Sequence, residues 1–176
     1  KFGIARIYAN KNNLKPWQKP EMLALQKQGI ILTSPIAQEG FADYKEALEE
    51  VDYVFECGAN GAGMRNKEHY EQLKRLRGVS AQGSEKGFGK PFMSGITDHL
   101  IRGEKFVQVV SCNTHGTAAI LVALAGKRLE NLVEADCVVV RRSEDIGNHE
   151  RLVSANVVAR HLNPDIGTHH AIDVVD

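Results

Sequence analysis

The stretch VQVVSCNTHG, residues 107–116, decides how the fold is interpreted, and the apolar segment TAAILVAL follows it at residues 117–124. Apolar β-forming residues predict a buried strand before Cys112, and the alanine- and leucine-rich segment after Gly116 predicts a buried helix. Cys112 is therefore expected where a strand passes into a helix. Backbone N–H groups at the start of a helix favour a thiolate and can hold an oxyanion opposite it, which suits acyl transfer. A free cysteine more often only packs against its neighbours, so both interpretations stand at this point.

Strands and helices alternate before this stretch, which is typical of an α/β domain with a parallel sheet. The apolar pattern predicts strands at residues 30–32, 51–57 and 79–82, helices at residues 21–28, 41–50 and about 66–77, and a loop over residues 1–20. After the buried helix, the apolar residues 132–140 predict a long strand that ends on Arg141 and Arg142. Two arginines there either face solvent or bind a phosphate group.

Glycine-rich segments follow two of the predicted strands, GANGAG at residues 58–63 and GSEKGFG at residues 83–89. A glycine-rich loop beyond the carboxyl end of a parallel strand lets a ligand approach the backbone closely, and open α/β sheets bind nucleotides there. The spacing matches neither the dinucleotide fingerprint nor a Walker loop, so a plain turn is an equally good interpretation.

The composition is that of an ordinary globular protein: 176 residues, 43% hydrophobic and 25% charged. Lysine plus arginine equals aspartate plus glutamate at 22 each, which favours neither nucleic acid nor an anionic membrane as a partner. Three cysteines without a CxxC pair argue against a disulfide framework and a zinc site, so no metal is expected and a cytoplasmic setting fits. No apolar run approaches the ~20 residues that span a bilayer, and residues 1–6 have no signal-peptide pattern.

Five motifs in order carry a family resemblance: NKE at 66–68, QGSEK at 82–86, VVSCNT at 109–114, VVVRR at 138–142, and THH at 168–170 with Asp173. Together they resemble the archaeal-type (type II) glyceraldehyde-3-phosphate dehydrogenases over most of the chain. The resemblance implies that residues 1–111 are the remainder of a Rossmann-like dinucleotide-binding domain and residues 112–176 the start of an α+β catalytic domain. The family's Gly-x-Gly-x-x-Gly turn and its downstream catalytic histidine do not occur in the sequence. The chain therefore resembles an internal portion of such an enzyme, and the isolated segment is expected to be inactive.

The resemblance also implies the chemistry: Cys112 attacks glyceraldehyde 3-phosphate, a hydride passes to NAD or NADP, and inorganic phosphate releases 1,3-bisphosphoglycerate from the thioacyl intermediate. Asn113 and Thr114 are expected to offer backbone N–H groups to the oxyanion. His115 replaces a threonine of the family motif, and three roles stay open for it: a cation that activates the thiol, a base, or a residue facing solvent. The cofactor residues are expected to be Gly58, Ala59, Asn60, Gly61, Gln82 and Gly83, and the phosphate-binding residues Arg141, Arg142, His169 and His170.

A homo-oligomer is expected, since the resembled family forms tetramers. The choice between NAD and NADP stays open. Two alternatives to this function also stay open: a related semialdehyde or acyl-phosphate reductase, and a non-catalytic relative that serves as a binding or scaffold module.

Overall fold

A computed structural model of the chain describes residues 3–12, 14–83, 85–139, 162–163, 167–168 and 174. The chain divides into two compact units, and each is described by itself. Unit 1 comprises Lys1–Val54 and Glu68–Val79, and unit 2 comprises Phe55–Lys67 and Ser80–Asp176. Parallel strand pairs alternate with helices along the chain, so the fold is α/β, as the sequence predicts.

Unit 1 is built on a three-stranded parallel sheet of order β1-β2-β3, formed by β1 (Tyr8–Asn10), β2 (Ile31–Ser34) and β3 (Ala42–Asp43). Helix α1 spans Lys19–Lys27 and α2 spans Tyr44–Glu50. The prediction of a helix from residue 41 is wrong at its start, because Ala42–Asp43 pairs with β2 and Asp43 then caps α2. Its Oδ1 accepts from the N–H groups of Lys45 at 2.7 Å and Glu46 at 3.0 Å. Strand β1 lies in the segment predicted as loop.

A four-stranded sheet has the order β4-β5-β7-β6, from β4 (Tyr53–Glu56), β5 (Gly78–Gln82), β6 (Lys90–Phe92) and β7 (Phe106–Val109). Strand β6, which the sequence pattern did not predict, runs parallel to β7 at the edge of the sheet, where its proline is tolerated. Helix α3 spans Ala62–Gln72, so the predicted helix over residues 66–77 is wrong at both ends.

Helix α4 of unit 2 spans Cys112–Ala125 and is followed by Gly126 at φ +84°. The prediction that this helix begins after Gly116 is wrong, because Ser111 caps it five residues earlier. Under the helix, Ala118 packs with Met93 and Val110 in a buried apolar cluster. A short antiparallel pair, β8 (Leu162–Asn163) and β9 (Gly167–Thr168), is also described.

The strand predicted over residues 132–140 does not form in its described part, residues 132–139. Val133 is 100% exposed and Val138 90% exposed, and no described strand pairs with this segment, so its backbone lacks the hydrogen-bonding neighbour that a strand needs. Within the described residues, no helix is both long enough and apolar enough to cross a membrane.

Candidate active site

Cys112 is the first residue of α4, and the helix start is fixed by the residue before it. Ser111 has an extended backbone, and its Oγ accepts from the N–H of Thr114 at 3.2 Å. The two hydroxyls of Ser111 and Thr114 also lie 2.8 Å apart, and Thr114 is fully buried. An N-cap serine of this kind satisfies a donor that the first helical turn would otherwise leave unpaired. The cap thus holds the first turn of α4 on its buried side, and Cys112 is exposed at the surface.

The same cap narrows the choice of oxyanion donors. The N–H of Thr114 already donates to Ser111 Oγ, and the N–H of His115 donates to the Ser111 carbonyl at 2.9 Å. The N–H of Thr114, one of the two expected oxyanion donors, is thus used by the cap. The candidate donors at Cys112 are then the N–H groups at the very start of the turn, those of Cys112 and Asn113. The Cys112 thiol itself donates a weak hydrogen bond to Oδ1 of Asn113 at 3.9 Å.

His115 lies one helical turn after the thiol, on the same face of α4. Its Nε2 lies 3.3 Å from the carbonyl oxygen of Ser94, and because a carbonyl can only accept, Nε2 carries the proton in this contact. In the neutral ring, Nδ1 then holds the lone pair. Within the described residues, the ring makes no hydrogen bond to Cys112 Sγ.

The carboxyl ends of β4, β5 and β7 lie along one edge of their sheet. Gln82, the last residue of β5, donates from Nε2 to Sγ of Cys57, the residue after β4, at 3.2 Å. On the other side, the N–H of Gly83 donates to the carbonyl of Val109, the last residue of β7, at 2.8 Å. The glycine loop follows β4, Gln82 and Gly83 lie at the end of β5, and Cys112 follows β7 by three residues. The described residues that the sequence assigns to cofactor and catalysis thus lie at or after the carboxyl ends of these three strands.

The glycines of this edge differ in the space around them. A Cβ on Gly58 would lie 2.7 Å from Oε1 of Glu56 and 2.8 Å from Cβ of Ala62, so this glycine is required by the loop's own packing. Gly61 has φ +80° and Gly83 has φ +57°, both in the region that favours glycine. Around Gly83, a Cβ would meet nothing within 4 Å. This open backbone beside Gln82, together with the exposed loop residues Ala59 and Asn60, fits the close approach of a nicotinamide dinucleotide.

Two buried carboxylates support the loop, and the sequence analysis did not single them out. Glu56, 9% exposed, accepts from the N–H of Gly58 at 2.8 Å and from Nδ2 of Asn66 at 2.9 Å. Glu85, 4% exposed, accepts from the N–H of Met64 at 2.9 Å. The charge of Glu85 thus already occupies the first turn of α3, which leaves that helix start unsuited to a phosphate group. The sequence did contain a signal for Glu85, because this residue belongs to the QGSEK motif that carries the family resemblance.

Among the described residues, no group of three or more histidine, cysteine, aspartate or glutamate side chains could hold a metal ion. Cys57, Cys112 and Cys137 are free and exposed. The predicted phosphate-binding residues Arg141, Arg142, His169 and His170 lie outside the described residues.

Comparison with curated proteins finds archaeal relatives that share one name. The chain is 32% identical to a glyceraldehyde-3-phosphate dehydrogenase of Methanobacterium bryantii over 137 residues, which cover 77% of the chain and 38% of the relative. It is 31% identical to that of Thermococcus kodakarensis over 132 residues, 70% of the chain and 37% of the relative. With that of Sulfurisphaera tokodaii the identity is 26% over 175 residues, 96% of the chain and 46% of the relative. The chain thus spans less than half the length of these relatives, and no family model matches it.

Proposed function

We propose that this chain carries the nucleophile and part of the nicotinamide site of a phosphorylating aldehyde dehydrogenase. The premise is that the chain belongs to the archaeal-type glyceraldehyde-3-phosphate dehydrogenase family. The observation that supports the proposal most is the position of Cys112. It is the exposed first residue of a capped helix, at the same sheet edge as the glycine loop and Gln82. A nucleophile and a cofactor loop must share such an edge if a hydride is to pass between the atoms that they bind.

The chemistry requires four events at Cys112. Its thiolate attacks the aldehyde carbon of glyceraldehyde 3-phosphate, and the N–H groups of Cys112 and Asn113 donate to the oxygen that becomes negative. This oxygen takes up a proton to give the hemithioacetal, and a base removes the same proton as the hydride leaves. The nicotinamide of NAD or NADP, when bound, accepts the hydride that leaves the same carbon. A phosphate oxygen then attacks the thioester carbon, the carbon–sulfur bond breaks, and Cys112 leaves as a thiolate while 1,3-bisphosphoglycerate is released.

The remaining roles are proposed on the residues that surround this reaction. His115 is a candidate for the base, because its contact with Ser94 holds the proton on Nε2 and leaves the Nδ1 lone pair available. Gly58, Ala59, Asn60, Gly61, Gln82 and Gly83 are proposed at the cofactor. Arg141, Arg142, His169 and His170 are proposed at the substrate phosphate and inorganic phosphate, since guanidinium and imidazolium groups bind such anions. The division at residues 111 and 112 into a cofactor-binding and a catalytic part, and assembly as a homotetramer, belong to the same proposal.

The decisive experiment replaces the nucleophile. In the natural protein, assayed with glyceraldehyde 3-phosphate, phosphate and NAD+ or NADP+, Cys112→Ser should lower kcat/KM by more than about a thousandfold, because an alcohol is a far weaker nucleophile than a thiolate. Cys137→Ser is the matched control, since Cys137 is also free and exposed but is placed in no site. It should keep its activity.

A second measurement does not depend on turnover. Iodoacetamide should alkylate Cys112 faster than Cys137, and saturating cofactor should slow the reaction at Cys112 but leave that at Cys137 unchanged. Activity that survives Cys112→Ser, or equal alkylation rates at the two thiols, would overturn the proposal and favour a non-catalytic binding module.

A further inference from the structure

A buried glutamine of β7 holds the glycine-rich turn that follows β5. Gln108 is 8% exposed, and both ends of its amide are used by this turn. Its Nε2 donates to the carbonyl of Gly83 at 3.1 Å, and its Oε1 accepts from the N–H of Gly87 at 3.2 Å. A side-chain amide with a donor at one end and an acceptor at the other thus spans the turn from Gly83 to Gly87.

Backbone contacts join the same turn to β7 on both sides of the amide. The N–H of Gly83 donates to the carbonyl of Val109 at 2.8 Å. Farther along, Gly89 lies so close to β7 that a Cβ would overlap the carbonyl oxygen of Phe106 and lie 2.6 Å from the N of Val107. The turn is therefore attached to the strand at three points, and Gln108 supplies the middle one.

Glu85 extends this attachment from the turn to the glycine loop. It lies between Gly83 and Gly87, and its buried carboxylate accepts from the N–H of Met64 at 2.9 Å. Its Oε2 also lies 3.0 Å from where a Cβ of Gly63 would be, so the carboxylate packs directly on the backbone at the start of α3. Hydrogen bonds thus connect Gln108 to the turn and the turn to this helix start.

We propose that Gln108 is a positioning residue that sets the cofactor-binding loops, Gly58–Gly61 and Gln82–Gly83, relative to Cys112; this inference rests on the proposed function. Strand β7 ends at Val109, and α4 begins with Cys112 three residues later. The amide on the cofactor side and the nucleophile are therefore only four positions apart in one segment of the chain. Gln108 itself reaches neither the thiol nor the cofactor. It acts through the turn and through Glu85.

The test is Gln108→Met, which preserves the length of the side chain and removes both hydrogen bonds. The Kd of NAD+ or NADP+, measured by titration calorimetry, should rise about tenfold, equivalent to about 1.4 kcal/mol. The amides of Gly87 and Met64 should exchange hydrogen faster, whereas the His115 amide, held by the Ser111 carbonyl, should keep its protection. General loosening of the fold would instead raise exchange at all three amides and would count against the proposal.

Gln26→Met is the matched control. Gln26 Nε2 also donates to a glycine carbonyl, that of Gly40, at 3.0 Å. Gln26 lies in unit 1, whereas Gln108 lies in unit 2. The control should leave the Kd within about twofold. Glu85→Ala removes the hydrogen bond from the Met64 N–H and should raise the Kd as Gln108→Met does. If Gln108→Met does not fold, the Kd of Glu85→Ala tests the positioning role. If the unaltered protein binds neither cofactor, the proposed function fails. If it binds and both site variants bind equally well, the positioning role fails while the proposed function stands.

Discussion

Ser111→Ala should destabilise the start of α4 by about 2 kcal/mol. About 1 kcal/mol comes from the lost N-cap, since Ser111 Oγ accepts the N–H of Thr114 at 3.2 Å. A similar amount, about 1 kcal/mol, comes from the hydroxyl pair of Ser111 and Thr114, which lie 2.8 Å apart. Because Thr114 is fully buried, its hydroxyl has no direct access to water as a substitute partner.

The assay is urea denaturation followed by far-ultraviolet circular dichroism, with amide hydrogen exchange as the local readout. The free energy of unfolding should fall while the m-value stays unchanged, and the Thr114 amide should exchange faster.

A double-mutant cycle separates the pair from its surroundings. Thr114→Val removes the second hydroxyl and keeps the volume, so Ser111→Ala combined with Thr114→Val should cost less than the sum of the single changes, by about 1 kcal/mol. A loss below about 0.5 kcal/mol for Ser111→Ala, or a strictly additive double variant, would refute the assignment of this cap.

Two glycine substitutions should act in opposite directions. Gly89→Ala should lower the free energy of unfolding by about 3 kcal/mol or more, since its Cβ would overlap the Phe106 carbonyl in rigid backbone, and normal stability in denaturant would contradict the packing described. Gly116→Ala should raise stability by roughly 0.5–1 kcal/mol, because the residue lies inside α4 and a Cβ would meet nothing within 4 Å; an unchanged or lower melting temperature would contradict this.

Local sequence pattern was sufficient for the alternation of strands and helices. The strands β2, β4, β5 and β7 form where apolar β-forming residues predict them, because the apolar pattern of a strand is visible in consecutive residues of the sequence. The first and last residues of these elements were harder to predict from the local sequence pattern. Helix α4 starts at Cys112 through a serine cap, and α2 starts at Tyr44 because Ala42–Asp43 pairs with the preceding strand, β2. Residues 132–139 are the opposite case, since an apolar β-forming segment forms no strand there in the absence of a described partner.

The candidate site divides in the same way. The order of motifs identified the family resemblance and singled out Cys112, the glycine loop and Gln82, all of which lie in segments whose residue types are distinctive by themselves. The cap hydroxyls, the buried carboxylates Glu56 and Glu85, and the amide of Gln108 were not singled out. Serine, glutamate and glutamine are ordinary surface residues, and residue type does not show which of them is buried; only Glu85, as part of the QGSEK motif, lay in a distinctive segment.

The sequence by itself determined the α/β class, the family resemblance and the nucleophile candidate, because these depend on residue type, periodicity and order along the chain. Only the tertiary structure decided which groups meet. Gln82 reaches Cys57 across 25 positions, Glu85 reaches Met64 across 21, and Gln108 reaches Gly83 across 25. Such contacts form because a sheet brings the ends of its strands together, and the hydrogen-bonding demand of a buried polar group is met by whichever partner the fold places within reach.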